Sequence, residues 1–460
     1  MMKKIATLLL ALMMILSLAA CGKDTPDAET GGDNNVEDTD KDNEEKGDTE
    51  SDAEQPANDA KEPVTIKFSW WGGDSRHEAT LAAIEKFEET YDWITVKPQY
   101  GAWSGWEESM ATAFATETAP DVNQINWNWI TSFSSDGSAF KDLNEYSDTI
   151  KLGNFSQSSL DLCTLAGELQ AIPVSMTGRI FYWNKTTFEN AGISIPTTLA
   201  DLYAAGETFK NTLGDDYYPI ALGEYDRMIL MVYYLESVYG KAWVENNELQ
   251  YTAEEIQKGL EFIQSLEDAH VTPSIQTITG DGADSLDKNP KWMEGKYAGI
   301  FEWDSSAAKF QKALAEGQEF VVGEYMADMG EYQGGYAKVS LAFAISETTD
   351  HPEECALLIN FLLNEDAGAE IMKSERGIPL SKNGLMVCLD KGLLDVTVAE
   401  ANGKVLSWVQ FPLDPKFEAA ELKNSDGIYY DAMAGLSYGD YSIPDAAQVL
   451  IDGIGATLAK

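Results

Sequence analysis

The stretch Phe68-Ser-Trp-Trp-Gly-Gly-Asp-Ser-Arg-His-Glu-Ala-Thr80 changes its hydrophobic period halfway along. Upstream, Val64, Ile66, Phe68 and Trp70 alternate with Thr65, Lys67 and Ser69, the period of a strand. Beyond Gly72-Gly73, the residues Thr80, Ile84, Phe87 and Tyr91 share one face of a helix. The chain therefore runs strand, glycine turn, helix. Successive strand side chains face opposite sides, so one of Trp70 and Trp71 points into the core. In an open α/β sheet, ligands bind beyond the carboxyl ends of the strands. This turn carries two tryptophans, Asp74, Arg76 and His77, which makes it a candidate site. Ser75-x-x-Glu78 also has the form of a capping box, so Ser75 is expected to cap the helix.

The same unit recurs downstream. Ile94, Val96, Pro98 and Tyr100 alternate as a second strand that opens into Gly101-Ala-Trp-Ser-Gly-Trp106. A helical stretch is expected over about 106–118. Ala119-Pro-Asp-Val-Asn-Gln-Ile-Asn-Trp-Asn-Trp129 reads as a third strand closing in an aromatic and amide cluster. Three strand ends thus deliver Trp71 with Asp74, Trp103 with Trp106, and Asn126 with Trp127 and Trp129. In a parallel sheet such ends lie side by side. Aromatic faces pack against the C–H faces of sugar rings, while carboxylates, amides and guanidinium groups exchange hydrogen bonds with hydroxyls. Each exchange is worth about 1 kcal/mol net, so affinity needs several together with burial.

Further along, Leu169-Gln-Ala-Ile-Pro-Val-Ser-Met-Thr-Gly178 reads as a short strand, and Ile180-Phe-Tyr-Trp-Asn184 as its restart after a crossing to a second lobe. Thr198-x-x-Asp201 and Thr252-x-x-Glu255 have the form of helix starts. Tyr297, Gly299, Phe301 and Trp303 alternate as a strand, Val339–Ile345 is a buried strand, and Pro352 opens a helix reaching Leu363. Arg376-Gly-Ile-Pro-Leu380 reads as another crossing. The tail from Trp408 is helical and irregular and finishes in a helix over 446–458.

A chain of 460 residues is too long for one ordinary domain, and 44% hydrophobic content allows a sizeable core. A formal net charge of −45 opposes binding to nucleic acid and to anionic membranes through basic patches. Of twelve tryptophans, seven fall between Trp70 and Trp129, more than core packing alone accounts for. The four cysteines are Cys21, Cys163, Cys355 and Cys388, with no C-x-x-C pair to suggest zinc or redox chemistry. Cys355 sits in an apolar helical pattern and reads as a small buried hydrophobe. A Cys163–Cys388 disulfide is compatible with the sequence but is not deducible from it. Gly435-Leu-Ser-Tyr-Gly439 has the letters of a nucleophile elbow, but all three histidines, His77, His270 and His351, precede it. Asp281, Asp284 and Asp287 lack the alternation of a calcium loop and read as a solvated acidic loop. No phosphate loop or metalloprotease motif is present, and neither a cofactor nor a metal is expected.

At the amino end, Lys3-Lys4 precedes an apolar run from Ile5 to Leu18, the pattern of a secretory signal over 1–20. Leu18-Ala-Ala-Cys21 resembles the bacterial lipobox, which implies cleavage before Cys21 and a diacylglycerol on its sulfur. From Gly22 to Glu62 there are sixteen acids against four lysines and almost nothing apolar. Such composition cannot offset ordering entropy, so 21–62 is expected to be a disordered, extended acidic tether.

Taken together, Trp70-Trp-Gly-Gly-Asp-Ser-Arg-His77, Ala119-Pro-Asp-Val-Asn-Gln-Ile-Asn-Trp127, Ala171-Ile-Pro-Val174, Tyr182-Trp-Asn184 and Gly377-Ile-Pro-Leu380 resemble the extracellular solute-binding proteins, family 1, of sugar importers of the ABC type. The chain is similar to the oligosaccharide-binding lipoproteins of Gram-positive bacteria over essentially all of 63–460. The resemblance implies a two-lobed α/β periplasmic-binding-protein fold of type II. Its lobes would be 63–174 plus 326–378 and 178–322 plus 382–460, joined by a hinge and closing over sugar. It places Trp71, Asp74, Arg76, His77, Asn126 and Trp127 on the first lobe's face, Trp303 on the second, and a further stacking ring at Tyr429 or Tyr430. Loop position adds Trp103, Glu224, Asp304, Tyr336 and Trp408. Where relatives carry a longer glycine-containing stretch, this chain has Ala115-Thr-Glu-Thr118.

The expectation is a non-enzymatic, monomeric receptor on the outer face of the cytoplasmic membrane. Held only by its lipid anchor, it would capture a di- or oligosaccharide and pass it to an importer permease. The alternative is a surface glycan-active enzyme or a lectin-like module. A binding protein for iron or small polar solutes is disfavoured by the tryptophan count.

Overall fold

The computed structural model describes residues 61–460 apart from 135, 246, 284 and 412. The signal, Cys21, the greater part of the tether and Asp284 lie outside the described residues.

The opening strand β1 (Val64–Trp71) leads into helix α1 (Asp74–Thr90), then strand β2 (Ile94–Gly101), helix α2 (Trp106–Ala115) and strand β3 (Val122–Ile125). Strands β2 and β3 flank β1 in parallel, with Trp71 opposite Gly101 and Phe68 opposite Val122. The alternation is real in β1: Ile66, Phe68 and Trp70 are fully buried. Burying each such side chain contributes about 1.5–3 kcal/mol. Ser75 does not cap α1. The helix begins two residues earlier than that cap implies, with Gly73 as an extended N-cap without a side-chain bond, and the Ser75 hydroxyl donates instead to Glu375 Oε2 at 2.9 Å. The third strand also stops earlier than its pattern suggests, and Trp129 opens a short helix, Trp129–Ser132.

One continuous strand, β4 (Ile172–Asn184), replaces the expected strand, break and restart. Helices α3 (Glu224–Tyr239) and α4 (Ala253–Asp268) follow, then strands β5 (Gly299–Trp303), β6 (Phe320–Val322) and β7 (Ala337–Ile345). The main sheet has seven strands in the order β6-β4-β7-β3-β1-β2, with β5 also on β4. The first half of β4 pairs with β7, and its second half with β5 and β6, all antiparallel. β4 thus carries the chain from one half of the α/β fold to the other. At the changeover, a Cβ on Gly178 would lie 2.5 Å from Val405 Cγ1 and 2.8 Å from the Tyr336 carbonyl oxygen, so only glycine lets the elements meet there.

Helices α5 (Pro352–Asn364), α6 (Asp366–Met372), α7 (Val396–Trp408), α8 (Ile428–Tyr438) and α9 (Ile443–Leu458) complete the cover. α6 packs on α1, α7 on β4, and α3, α4, α8 and α9 pack on one another. The Thr252–Glu255 capping box forms, and Thr198 caps its helix. Gly377 takes a φ of +94° between α6 and α7, which favours glycine. Cys163, Cys355 and Cys388 are free and buried, so the Cys163–Cys388 bridge is not formed. Ser437 lies inside α8, donating to Glu267 Oε2 and accepting from the Ile275 N–H, so its hydroxyl serves packing rather than nucleophilic attack. Among the described residues no helix is long and apolar enough to cross a membrane.

Candidate functional site

A cleft of about 840 Å³ opens beyond the carboxyl ends of β1, β2 and β3 and reaches the changeover on β4. That volume lies within the range of small-molecule binding sites. One wall is aromatic. Trp71 lines the cleft, while Trp70 turns inward, stacks on Tyr100 and donates from its indole nitrogen to His77 Nδ1 at 3.1 Å. The Trp71 ring packs 5.0 Å from Trp103 and 5.4 Å from Trp129, measured between centroids. Trp103, 41% exposed, offers the most open aromatic face in the wall. Trp129 is buried beneath and donates from Nε1 to Glu107 Oε1 at 2.8 Å.

The backbone under this wall is held from behind. The Trp71 carbonyl accepts from Gln124 Nε2 at 3.1 Å and from Arg76 Nη1 at 3.2 Å. Arg376 Nε in turn donates to Gln124 Oε1 at 2.7 Å. Arg76 therefore reaches the cleft through the strand end it clamps, and its other contact is the Glu375 carbonyl at 3.0 Å. Burial brings its guanidinium down to about 10 despite the nearby Glu375 carboxylate.

The facing wall is charged. Arg179, on β4, is almost fully buried and ion-pairs with Asp226; Glu302 lies 3.7 Å away, and the Phe301 carbonyl accepts at 2.6 Å. Burial alone would lower its pKa, but the Glu302 and Asp226 carboxylates outweigh it and hold the group above its ordinary value. Lys338, on β7, ion-pairs with Glu418, and Lys423 lies 3.7 Å from the same carboxylate. The Tyr225 hydroxyl donates to Glu418 Oε1 at 3.1 Å. Burial pushes the Lys338 ammonium down to about 8, with Glu418 opposing and Lys423 assisting the fall. Burial would raise Glu418, but Lys338 and Lys423 keep it below the usual carboxylate value. Burial raises Glu302 against the pull of Arg179.

The two walls are joined by contact. Lys423 Nζ lies 5.6 Å from the centre of the Trp103 ring, while Lys338 Nζ and Arg179 Cζ lie 4.6 and 4.8 Å from that of Trp303. Cations at this range of an indole face gain about 0.5–2 kcal/mol.

Among the residues expected from sequence, Trp71, Trp103, Asn126, Trp303 and Tyr430 line this cleft. The others lie off its lining. Asp74 is exposed at the start of α1, and His77 packs at a tilt on Tyr100 with its pKa lowered chiefly by burial. Trp127 is buried, with Nε1 donating to the Leu162 carbonyl at 2.7 Å. Glu224 opens α3, with its pKa raised by burial. Asp304 is buried, accepting from Thr177 and, at 2.7 Å, from Asn402 Nδ2; burial brings it up to about 6. Tyr336 is fully buried against Tyr233 and Phe417, Trp408 packs on Tyr325, and Tyr429 donates to the Phe417 carbonyl at 3.0 Å. Sequence reading missed Arg179, Tyr225, Glu302, Lys338, Glu418 and Lys423, all on the lining. A signal existed for two of them: Arg179 and Lys338 are lone cations near or within apolar strand runs, where a charge is costly unless paired. Among the described residues no group of three or more His, Cys, Asp or Glu side chains is placed to hold a metal ion.

Comparison with known proteins places this geometry in context. The model of the family described as bacterial extracellular solute-binding protein matches residues 73–369. A periplasmic solute-binding protein from Pectobacterium atrosepticum is 31% identical, covers 86% of this chain and 99% of its own, and superposes with a TM-score of 0.81. A periplasmic oligogalacturonide-binding protein from Yersinia enterocolitica, solved with saturated digalacturonic acid, gives the same identity, coverage and TM-score. An ABC substrate-binding protein from Listeria monocytogenes, solved with cycloalternan, shares the fold at 18% identity, with a TM-score of 0.71 over 86% of this chain and 100% of its own.

Proposed function

This chain belongs to the bacterial extracellular solute-binding protein family, and from that premise we propose that it captures a di- or oligosaccharide in the cleft between the tryptophan wall and the charged wall, then delivers it to an ABC importer permease. The family binds substrates and does not transform them. The observation that carries the reading is the pairing of ring-stacking surfaces, Trp71, Trp103 and Trp303, with buried hydrogen-bonding charges in one cleft of about 840 Å³. The oligogalacturonide complex of the Yersinia protein supports a saccharide ligand for this chain. The lipobox at Cys21 and the acidic segment after it support a receptor tethered to the outer face of the cytoplasmic membrane.

The test is calorimetry of the folded protein against a panel of plant and host oligosaccharides, followed by chromatography of the sugars. Saturable binding with the sugars recovered intact is expected. Cleaved sugar would favour a glycan-active enzyme, and silence across the panel would refute the reading. For the anchor, Cys21→Ala is expected to release the protein into the medium.

A further inference from the structure

We propose that the captured saccharide is acidic, and that Lys338 and Lys423 form a subsite for a carboxylate borne on its ring. This inference rests on the saccharide reading above and narrows it.

The chain has 32 lysines and arginines against 77 acids, and this one cleft is lined by four cations, Arg179, Lys309, Lys338 and Lys423, beside five acids, Glu107, Glu108, Glu302, Glu418 and Asp426. Their partners differ. Lys309 lies 3.1 Å from Asp287, and Arg179 sits between Asp226 and Glu302. Lys338 and Lys423 share the single carboxylate of Glu418. The side chains of Lys338, Lys423 and Glu418 are 7%, 10% and 1% exposed, so water does little to neutralise them. Two cations on one buried anion leave an excess positive charge, which is costly without a further partner. The lowered pKa of Lys338 expresses the same cost. A second carboxylate, brought by the ligand, would balance the cluster.

The surroundings make that carboxylate a substituent on a sugar ring. Lys338 lies 4.6 Å from the Trp303 ring centre and Lys423 5.6 Å from that of Trp103. A ring packed on either indole therefore brings its substituents close to an ammonium group. The neighbouring cluster has the opposite balance, with Arg179 between two carboxylates, Asp226 and Glu302. Its acceptor oxygens suit the hydroxyls of the same saccharide. The cleft is thus polarised, cationic where the acid group would sit and anionic where the hydroxyls would sit.

The experiment titrates the full chain calorimetrically with digalacturonate and with its carboxyl-reduced, neutral counterpart. Wild type is compared with Lys423→Gln and Glu418→Gln, with native circular dichroism required of each. Digalacturonate is expected to bind at least tenfold more tightly than the neutral dimer. Lys423→Gln is expected to shrink that ratio by about tenfold or more, the scale of one hydrogen bond to a charged group. Glu418→Gln, which removes the competing anion, is expected to enlarge it. A neutral dimer that binds as well as digalacturonate, or a ratio unmoved by folded Lys423→Gln, would overturn the inference while leaving saccharide capture standing. If neither dimer binds but a neutral member of the panel does, the inference is likewise overturned. Absence of binding to every saccharide would bring down the broader reading itself.

Discussion

The two walls of the cleft are built differently. The tryptophan wall is an extension of the core. Trp71 follows the buried alternation of β1, and Trp129 beneath it is fully buried. The charged wall is an intrusion into the core. Arg179, Lys338 and Glu418 are charges in places where apolar side chains would be cheaper. Packing alone accounts for much of the first wall, but it does not account for the second. The lesson is that the charges are the more informative half, because apolar side chains could fill the same space at no loss of stability.

The largest expected effect comes from breaking the charged wall. Arg179→Met leaves Asp226 and Glu302 without their cation and is expected to cost about 3–5 kcal/mol, read from urea unfolding. If stability is unchanged, the carboxylates left behind are not desolvated charges in the core and the contrast between the walls fails.

A pH titration sharpens the same contrast. Lys338 releases its proton at about 8 in the folded chain, against an ordinary value of 10.5. Between those values the unfolded chain holds more protons, so the Lys338 contribution to stability rises with pH, by at most about 1.4 kcal/mol per unit. Affinity for an acidic saccharide moves the other way, full below about pH 8 and falling above it. Affinity for a neutral saccharide stays flat through that window. Calorimetry and urea midpoints at pH 7 and pH 10, in wild type and Lys338→Met, would separate these trends.

Trp71→Ala tests the other wall. It is expected to weaken saccharide binding by about 1–3 kcal/mol, the scale of one large buried side chain, in a protein that still folds. Unchanged affinity would show that the ring serves packing alone. The smallest effect is expected for Ser75→Ala. Its hydroxyl meets Glu375 at an exposed site rather than capping α1, so the change in stability is expected to stay within about 0.5 kcal/mol.

Much of this was legible in the sequence. The strand–turn–helix unit at 64–90, the parallel strands beside it and the tryptophans at their ends follow from hydrophobic period and glycine position. The single strand β4 was not, because Gly178 reads as a break in a pattern, whereas its role is close approach to Val405 and the Tyr336 carbonyl. Lone cations in apolar runs marked Arg179 and Lys338, but their partners come from residues 226, 302 and 418, which only the fold brings near. Glu418 and Lys423 carry no local pattern at all. Residues such as Arg76 and Asp304 drew notice for their chemistry, and their partners are structural ones, the Trp71 carbonyl for the first and Thr177 and Asn402 for the second.

The most direct test of the account is a crystal structure of the full chain with the saccharide that binds best in the calorimetric panel. The account predicts a sugar ring against Trp71, Trp103 or Trp303, with its polar substituents meeting the Lys338–Glu418–Lys423 and Arg179–Glu302 clusters. A saccharide bound elsewhere on the surface, with this cleft holding only solvent, would contradict it.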